Sequence, residues 1–171
     1  MKKMRTGVIG AGFIGNIHVE MLRRLGNVEV VALCDANGAE EKAKKLYIEK
    51  AYTDYRKMIE ECELDCIHIC TPNFTHYDIA KFAIEHGVNL ICEKPFTTTV
   101  EEAKELVELA RKKGVKGAIN LHNRLYPIPN EMHQIIKKHG IGDIFSVHGE
   151  YIQDRSEERR VGKECRTRWG W

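Results

Sequence analysis

No apolar run in these 171 residues approaches the ~20 that carry a helix across a bilayer, so the sequence holds no membrane-spanning segment. It also lacks an internal repeat and a low-complexity linker, and so shows no sign of a solenoid or of tethered modules. A dominant charge of one sign is missing too. The 27 Lys/Arg against 25 Asp/Glu leave a net +2, and residues 155–171 alone carry net +3, so the preceding 154 residues stand at −1. A nucleic-acid partner is therefore not expected. With 43% hydrophobic and 30% charged residues, the composition is that of an ordinary globular protein, long enough for one domain and a fragment of a second. The start, MKKMRTGVIG, is expected to lead straight into a strand. Together with thiols at Cys34, Cys66, Cys70 and Cys92 inside apolar strand-like runs, this sets the expectation of a cytoplasmic location. Cys62, Cys66 and Cys70 are evenly spaced, but they do not share a helix face and no metal site is expected of them.

What is present is concentrated between Arg5 and Asp35. A β-branched run, Thr6 to Ile9, enters Gly10-Ala11-Gly12-Phe13-Ile14-Gly15. A helical stripe follows (Ile14, Ile17, His18, Met21, Leu22, Leu25) and stops at Gly26, and a second apolar strand, Val28 to Cys34, ends on Asp35. Each part suits a dinucleotide. Gly10 allows a tight turn, Gly12 lets backbone approach a pyrophosphate, and Gly15 lets helix and strand pack closely. The free N–H groups of the helix start attract phosphate, and the acid at the end of the second strand accepts ribose hydroxyls.

Helical segments ending in glycine ahead of an apolar strand recur. Gly26 precedes Val28, Gly87 precedes Val88 to Cys92, Gly114 precedes Val115 to Leu121, and Gly140 precedes Ile144 to Ile152. Helices are also expected over Glu40 to Leu46 and Asp54 to Glu61, and a buried strand over Cys66 to Cys70. This alternation predicts an α/β fold, a doubly wound and mostly parallel sheet of the Rossmann type. All strand C-termini of such a sheet share one edge, so Gly10, Asp35, Thr71, Glu93 and Asn120 should line a single crevice.

Three motifs in this order, GVIGAGFIG, CTPNFTH and EKP, are similar to those of the Gfo/Idh/MocA oxidoreductases, and the resemblance covers about Lys3 to Asp154. It implies an N-terminal Rossmann domain over 1–121 and, from 122–154, a crossover and the first strand, Ile144 to Ile152, of a second α/β domain that holds substrate. It further implies hydride transfer between NAD, with NADP the less favoured cofactor, and a hydroxyl of a sugar or polyol, in a protein that can form homo-oligomers. Lys94 matches the family's EKP lysine and is the expected catalytic residue. Cofactor contacts are expected from Gly10, Gly12, Phe13, Ile14, Gly15, Asp35, Thr71, Pro72, Asn73, His76, Glu93 and Lys94. The family's proton-transferring histidine, and the aspartate upstream of it, have no counterpart in this chain.

Simpler roles compete for some of these residues. Lys94 could form only a surface ion pair with Glu93, and His76 could cap a helix starting near Thr75 instead of meeting cofactor. Glu93 could touch substrate or only fix its loop. His18 is expected to pack or meet solvent, and His68 to be core. The absence of Arg near Asp35 (Ala36, Asn37 and Gly38 follow it) favours NAD. A noncatalytic dinucleotide-binding module, and a truncated fragment without activity, are the alternatives to an enzyme. Residues Arg155 to Trp171 have no apolar periodicity and hold both tryptophans. Their RSEERR string resembles the in-frame translation of a common sequencing adapter, so a non-native tail is expected there.

Overall fold

The computed structural model describes residues 2–150. These residues divide into two compact units, the first ending at Tyr126 and the second beginning at Pro127.

In the first unit six strands run β1 (Met4–Ile9), β2 (Val28–Cys34), β3 (Lys50–Tyr52), β4 (Cys66–Ile69), β5 (Asn89–Cys92) and β6 (Gly117–Ile119). They form one sheet in the order β3-β2-β1-β4-β5-β6, and every pairing is parallel. The helices α1 (Phe13–Arg24), α2 (Ala39–Lys45), α3 (Tyr55–Glu61), α4 (His76–Glu85) and α5 (Val100–Lys113) supply the crossovers. Strand alternation explains their division between the two faces. Val8 and Leu33 pack with Val19, Leu22 and Ala43 of α1 and α2. Their neighbours Ile9, Ala32 and Cys34 pack on the other face with Met58, Ile79, Ala83 and Leu106 of α3, α4 and α5. The expected doubly wound sheet is what forms.

Local chemistry sets the boundaries. Asp54 caps α3 through the Arg56 N–H, and Thr99 with Glu102 forms a reciprocal capping box at the start of α5. Gly26, Gly87 and Gly114 close their helices at positive φ, as the punctuation predicted. The strand β3 was not foreseen, because three residues at the sheet margin carry no readable period.

In the second unit α6 spans Pro127–Lys137. The strand expected from Ile144 does not form: residues 142–150 have no strand hydrogen bonds, and Ile144, Phe145 and Val147 are exposed. A strand exists only beside a partner strand, and among the described residues this segment pairs with none. Residues 151–152 of that expected strand, and the tail 155–171, lie outside the described residues.

Candidate dinucleotide site at the sheet edge

The parallel ladder continues one residue past each strand and so fixes the rim of the crevice. Gly10 N–H donates to Cys34 O at 2.7 Å, Asp35 N–H to Tyr52 O at 3.0 Å and Cys70 N–H to Ile9 O at 2.8 Å. Glu93 N–H donates to Ile69 O at 2.9 Å and Asn120 N–H to Cys92 O at 2.8 Å. Gly10, Asp35, Glu93 and Asn120 therefore share the C-terminal edge, with Thr71 next to Cys70, as sheet topology demands.

At the centre of this edge the glycine turn is shaped by what a side chain would hit. Gly10 has φ +92°, and a Cβ there would stand 2.7 Å from the Cys70 carbonyl. A Cβ on Gly15 would collide with the Gly10 carbonyl. Gly12 differs, since nothing lies within 4 Å of the position its Cβ would take. This open space faces the start of α1, where no side chain caps the free N–H groups and the first turn holds no acid. Phe13 and Ile14 are exposed beside it. An uncapped helix start with a clear approach suits a phosphate. These residues fit a dinucleotide.

Asp35 is held firmly at the end of β2. Its Oδ2 accepts the Ala11 N–H at 2.7 Å and its Oδ1 accepts the Asn37 N–H at 3.0 Å. Lys42, from α2, brings its ammonium 2.9 Å from Oδ2, a cation that the residues immediately after Asp35 gave no reason to expect. Partial burial works to raise the Asp35 pKa and is outweighed by the Lys42, Asn37 and Ala11 hydrogen bonds, which leave it below the usual carboxylate range.

The loop after β4 is tied to the loop after β5 by His76. This residue begins α4 and is fully buried; its Nδ1 lies 2.7 Å from the Pro95 carbonyl and its Nε2 2.9 Å from the Thr71 carbonyl. The ring sits between these two carbonyls, either neutral tautomer can donate to one of them, and it supplies no side-chain cap. Within the first loop Thr75 Oγ1 donates to Pro72 O at 2.7 Å. Asn73, half-buried, opens the 3₁₀ turn Asn73–Thr75.

Glu93 and Lys94 point to different surroundings. Glu93 is buried, with Oε1 2.5 Å from Asn120 Nδ2 and 3.1 Å from His18 Nε2. Lys94 is exposed, and no described carboxylate lies within 4.0 Å of its ammonium, so the simple Glu93–Lys94 ion pair does not form. The Lys94–Pro95 peptide is cis. His18 was expected to pack or meet solvent, yet both of its nitrogens are engaged in this cluster, with His68 as the second partner at 2.8 Å. A histidine on an otherwise apolar helix stripe, and another inside CIHIC, were the available signals, since a buried polar group needs a partner. Elsewhere, an open groove of about 540 Å³ runs along α1 past Ile17, Glu20, Arg23 and Leu46, and it includes neither Asp35 nor Lys94.

Residues 4–121 match the profile of the oxidoreductase family with an NAD-binding Rossmann fold, Gfo/Idh/MocA. The chain belongs to this family. Among its relatives, inositol 2-dehydrogenase of Salmonella typhimurium is 32% identical over 159 residues, covering 86% of this chain and 46% of that protein. Levoglucosan dehydrogenase of Pseudarthrobacter phenanthrenivorans is 29% identical, covering 92% and 43%. Among solved structures, an NAD-binding oxidoreductase from Klebsiella pneumoniae superposes with a TM-score of 0.78 at 34% identity, over 82% of this chain and 40% of that one. The chain thus spans less than half the length of the curated relatives it matches. No helix among the described residues is long and apolar enough to cross a membrane, and no described group of three or more His, Cys, Asp or Glu is placed to hold a metal ion.

Proposed function

We propose that this chain is the cofactor-holding part of a cytoplasmic NAD-dependent oxidoreductase that acts on a hydroxyl of a sugar or polyol. The observation that carries this reading is the meeting, on one sheet edge, of the open Gly12 turn, the anchored carboxylate of Asp35 and the exposed ammonium of Lys94, which no described carboxylate pairs. Inositol and levoglucosan dehydrogenases among the relatives support the substrate class.

When bound, the dinucleotide supplies a hydride acceptor or donor. The chain's own residues bind and orient. The N–H groups at the start of α1 take the pyrophosphate beside Gly10, Gly12, Phe13, Ile14 and Gly15. Asp35 accepts the adenosine ribose hydroxyls, and the Thr71-Pro72-Asn73 loop, braced by His76, borders the crevice. Lys94 is the catalytic residue. Its ammonium donates to the oxygen of the reacting hydroxyl and lowers the cost of removing that proton. Glu93 holds the loop.

Residues 1–121 make up the cofactor domain in this reading, and 122–154 the crossover toward a substrate-holding domain in a protein able to form homo-oligomers. Residues 155–171 are non-native; genomic DNA amplified across the codon for Asp154 should lack the RSEERR codons, and their presence there would refute this.

Titration calorimetry with NAD⁺ tests the main claim. Saturable binding is expected, weakened at least tenfold in Asp35→Ala. Wild-type affinity in that variant would remove Asp35 from the site.

A further inference from the structure

Behind Lys94 runs a buried chain of polar side chains. His68 stands on β4 between Ile67 and Ile69, which pack toward α4, so its own side chain leaves the sheet on the α1 side. There it meets His18, with the two Nδ1 atoms 2.8 Å apart and the rings edge to face. His18 Nε2 reaches Glu93 Oε1 at 3.1 Å, and the Asn120 amide reaches the same oxygen. Glu93 Oε2 accepts the backbone N–H of Lys94 at 3.3 Å. His18, His68 and Glu93 are 8%, 7% and 9% exposed, so each must find its partners within the protein.

We propose that His18 is a positioning residue for Lys94: with His68 and Asn120 it fixes Glu93, Glu93 holds the backbone that presents Lys94, and the His18–His68 pair is where an added proton settles. The inference rests on the reading of Lys94 given above.

The donors can be assigned from chemistry. Burial works to raise the Glu93 pKa, but hydrogen bonds from Asn120 and His18 and the Lys94 N–H outweigh it, and the carboxyl lies below its usual range. It is ionised and can only accept, so His18 Nε2 carries a hydrogen. Neutral His18 then has a lone pair at Nδ1, and His68 donates to it from its own Nδ1. Protonated His18 donates from both nitrogens, and His68 turns into the acceptor and carries its hydrogen on Nε2. Burial, and then the charge of His18, push His68 down to about 4, so His68 itself takes up no proton near neutral pH. The other titratable groups here do not compete. Burial and the Glu93 charge push the thiols of Cys70 and Cys92 up, Cys92 to about 12. Protonation of the pair thus takes the cluster from one negative charge to none, directly behind the Lys94 loop.

Nitrogen-15 NMR of the full chain tests this without cofactor or turnover. Above the pair's protonation we expect a scalar coupling across Nδ1–H···Nδ1 between His18 and His68, and a Lys94 amide resonance that shifts with the same pH midpoint as the His18 ring nitrogens. In His18→Gln, whose amide can still donate to Glu93, the Lys94 amide should keep its position and lose the titration. In His18→Leu both should be lost. Should His18→Leu fail to fold, the wild type and His18→Gln decide. A folded wild type without the coupling, or a Lys94 amide that moves only when Glu93 itself takes a proton in acid, overturns the proposal. A failure to bind NAD⁺ would instead count against Lys94's catalytic setting and leave these shifts in place.

Discussion

The ammonium of Lys42 lies 2.9 Å from Oδ2 of Asp35, so the acid that would meet the ribose carries its own counter-cation. Alone, a carboxylate at the end of β2 repels a 2′-phosphate and favours NAD. Lys42 works against that preference: it offsets the negative charge and offers a partner to a phosphate. The pair is partly exposed, which limits its strength. We expect NAD⁺ to bind more tightly than NADP⁺, and Lys42→Met to widen the preference by about twofold to fivefold, on the scale of such an ion pair. Parallel titrations with both cofactors check this. An unchanged ratio would show that Lys42 has no part in selection.

Gly12 and Gly15 should fail in opposite ways. A methyl group on Gly12 enters open space, whereas one on Gly15 drives into the Gly10 carbonyl. Gly12→Ala should melt within a degree or two of wild type yet lose NAD⁺ affinity by about tenfold or more, because the methyl occupies the approach of the pyrophosphate. Gly15→Ala should lose about 1–3 kcal/mol of stability, the usual cost of overpacking. Thermal melts alongside calorimetry separate the two. Equal melting temperatures in both variants would contradict the collision at Gly15.

Folding stability should fall as the solution is acidified from pH 7 to 4. His68 is held to about 4 against an ordinary value of 6.5, so between these values the unfolded chain binds a proton that the native chain refuses. Its contribution is complete above pH 6.5 and disappears as pH drops toward 4, on the order of 3 kcal/mol. Asp35 and Glu93, both depressed, add stability above the ordinary carboxylate range that is lost at lower pH. Urea unfolding at pH 7.5 and 5.0 measures the slope. A chain equally stable at both values would refute the buried, neutral His68.

The 171-residue chain should bind the cofactor without appreciable turnover. Lys94 stands exposed, and no described group is placed against it as a proton acceptor. A positioned acid or base is worth roughly two to four orders of magnitude, and substrate positioning more. An NADH-absorbance assay over sugars and polyols should stay at background. Robust activity that vanishes in Lys94→Ala would overturn this expectation.

Much of the fold was legible because its signals are local. The second strand ends at Cys34 as expected, and Asp54, Gly26 and Gly114 punctuate helices through bonds a few residues long. The convergence at the sheet edge was legible through topology alone. What escaped depended on partners far apart in the chain: His18 and Asn120 meet across 102 positions, which no periodicity encodes. Lys42 is near Asp35 in sequence, but it reaches the acid only because α2 folds back beside the end of β2. The strand expected from Ile144 failed for a related reason. Apolar alternation shows that a segment can pair, and the pairing itself needs a neighbour.

The central claim, that this sheet edge holds a dinucleotide, is tested most directly by calorimetric titration of NAD⁺ into wild type and Gly12→Ala, each first shown to be folded. The account predicts one saturable site in wild type and a loss of at least about tenfold in the variant at unchanged melting temperature. A folded wild type that takes up no NAD⁺, or a variant that binds it equally well, would contradict the account.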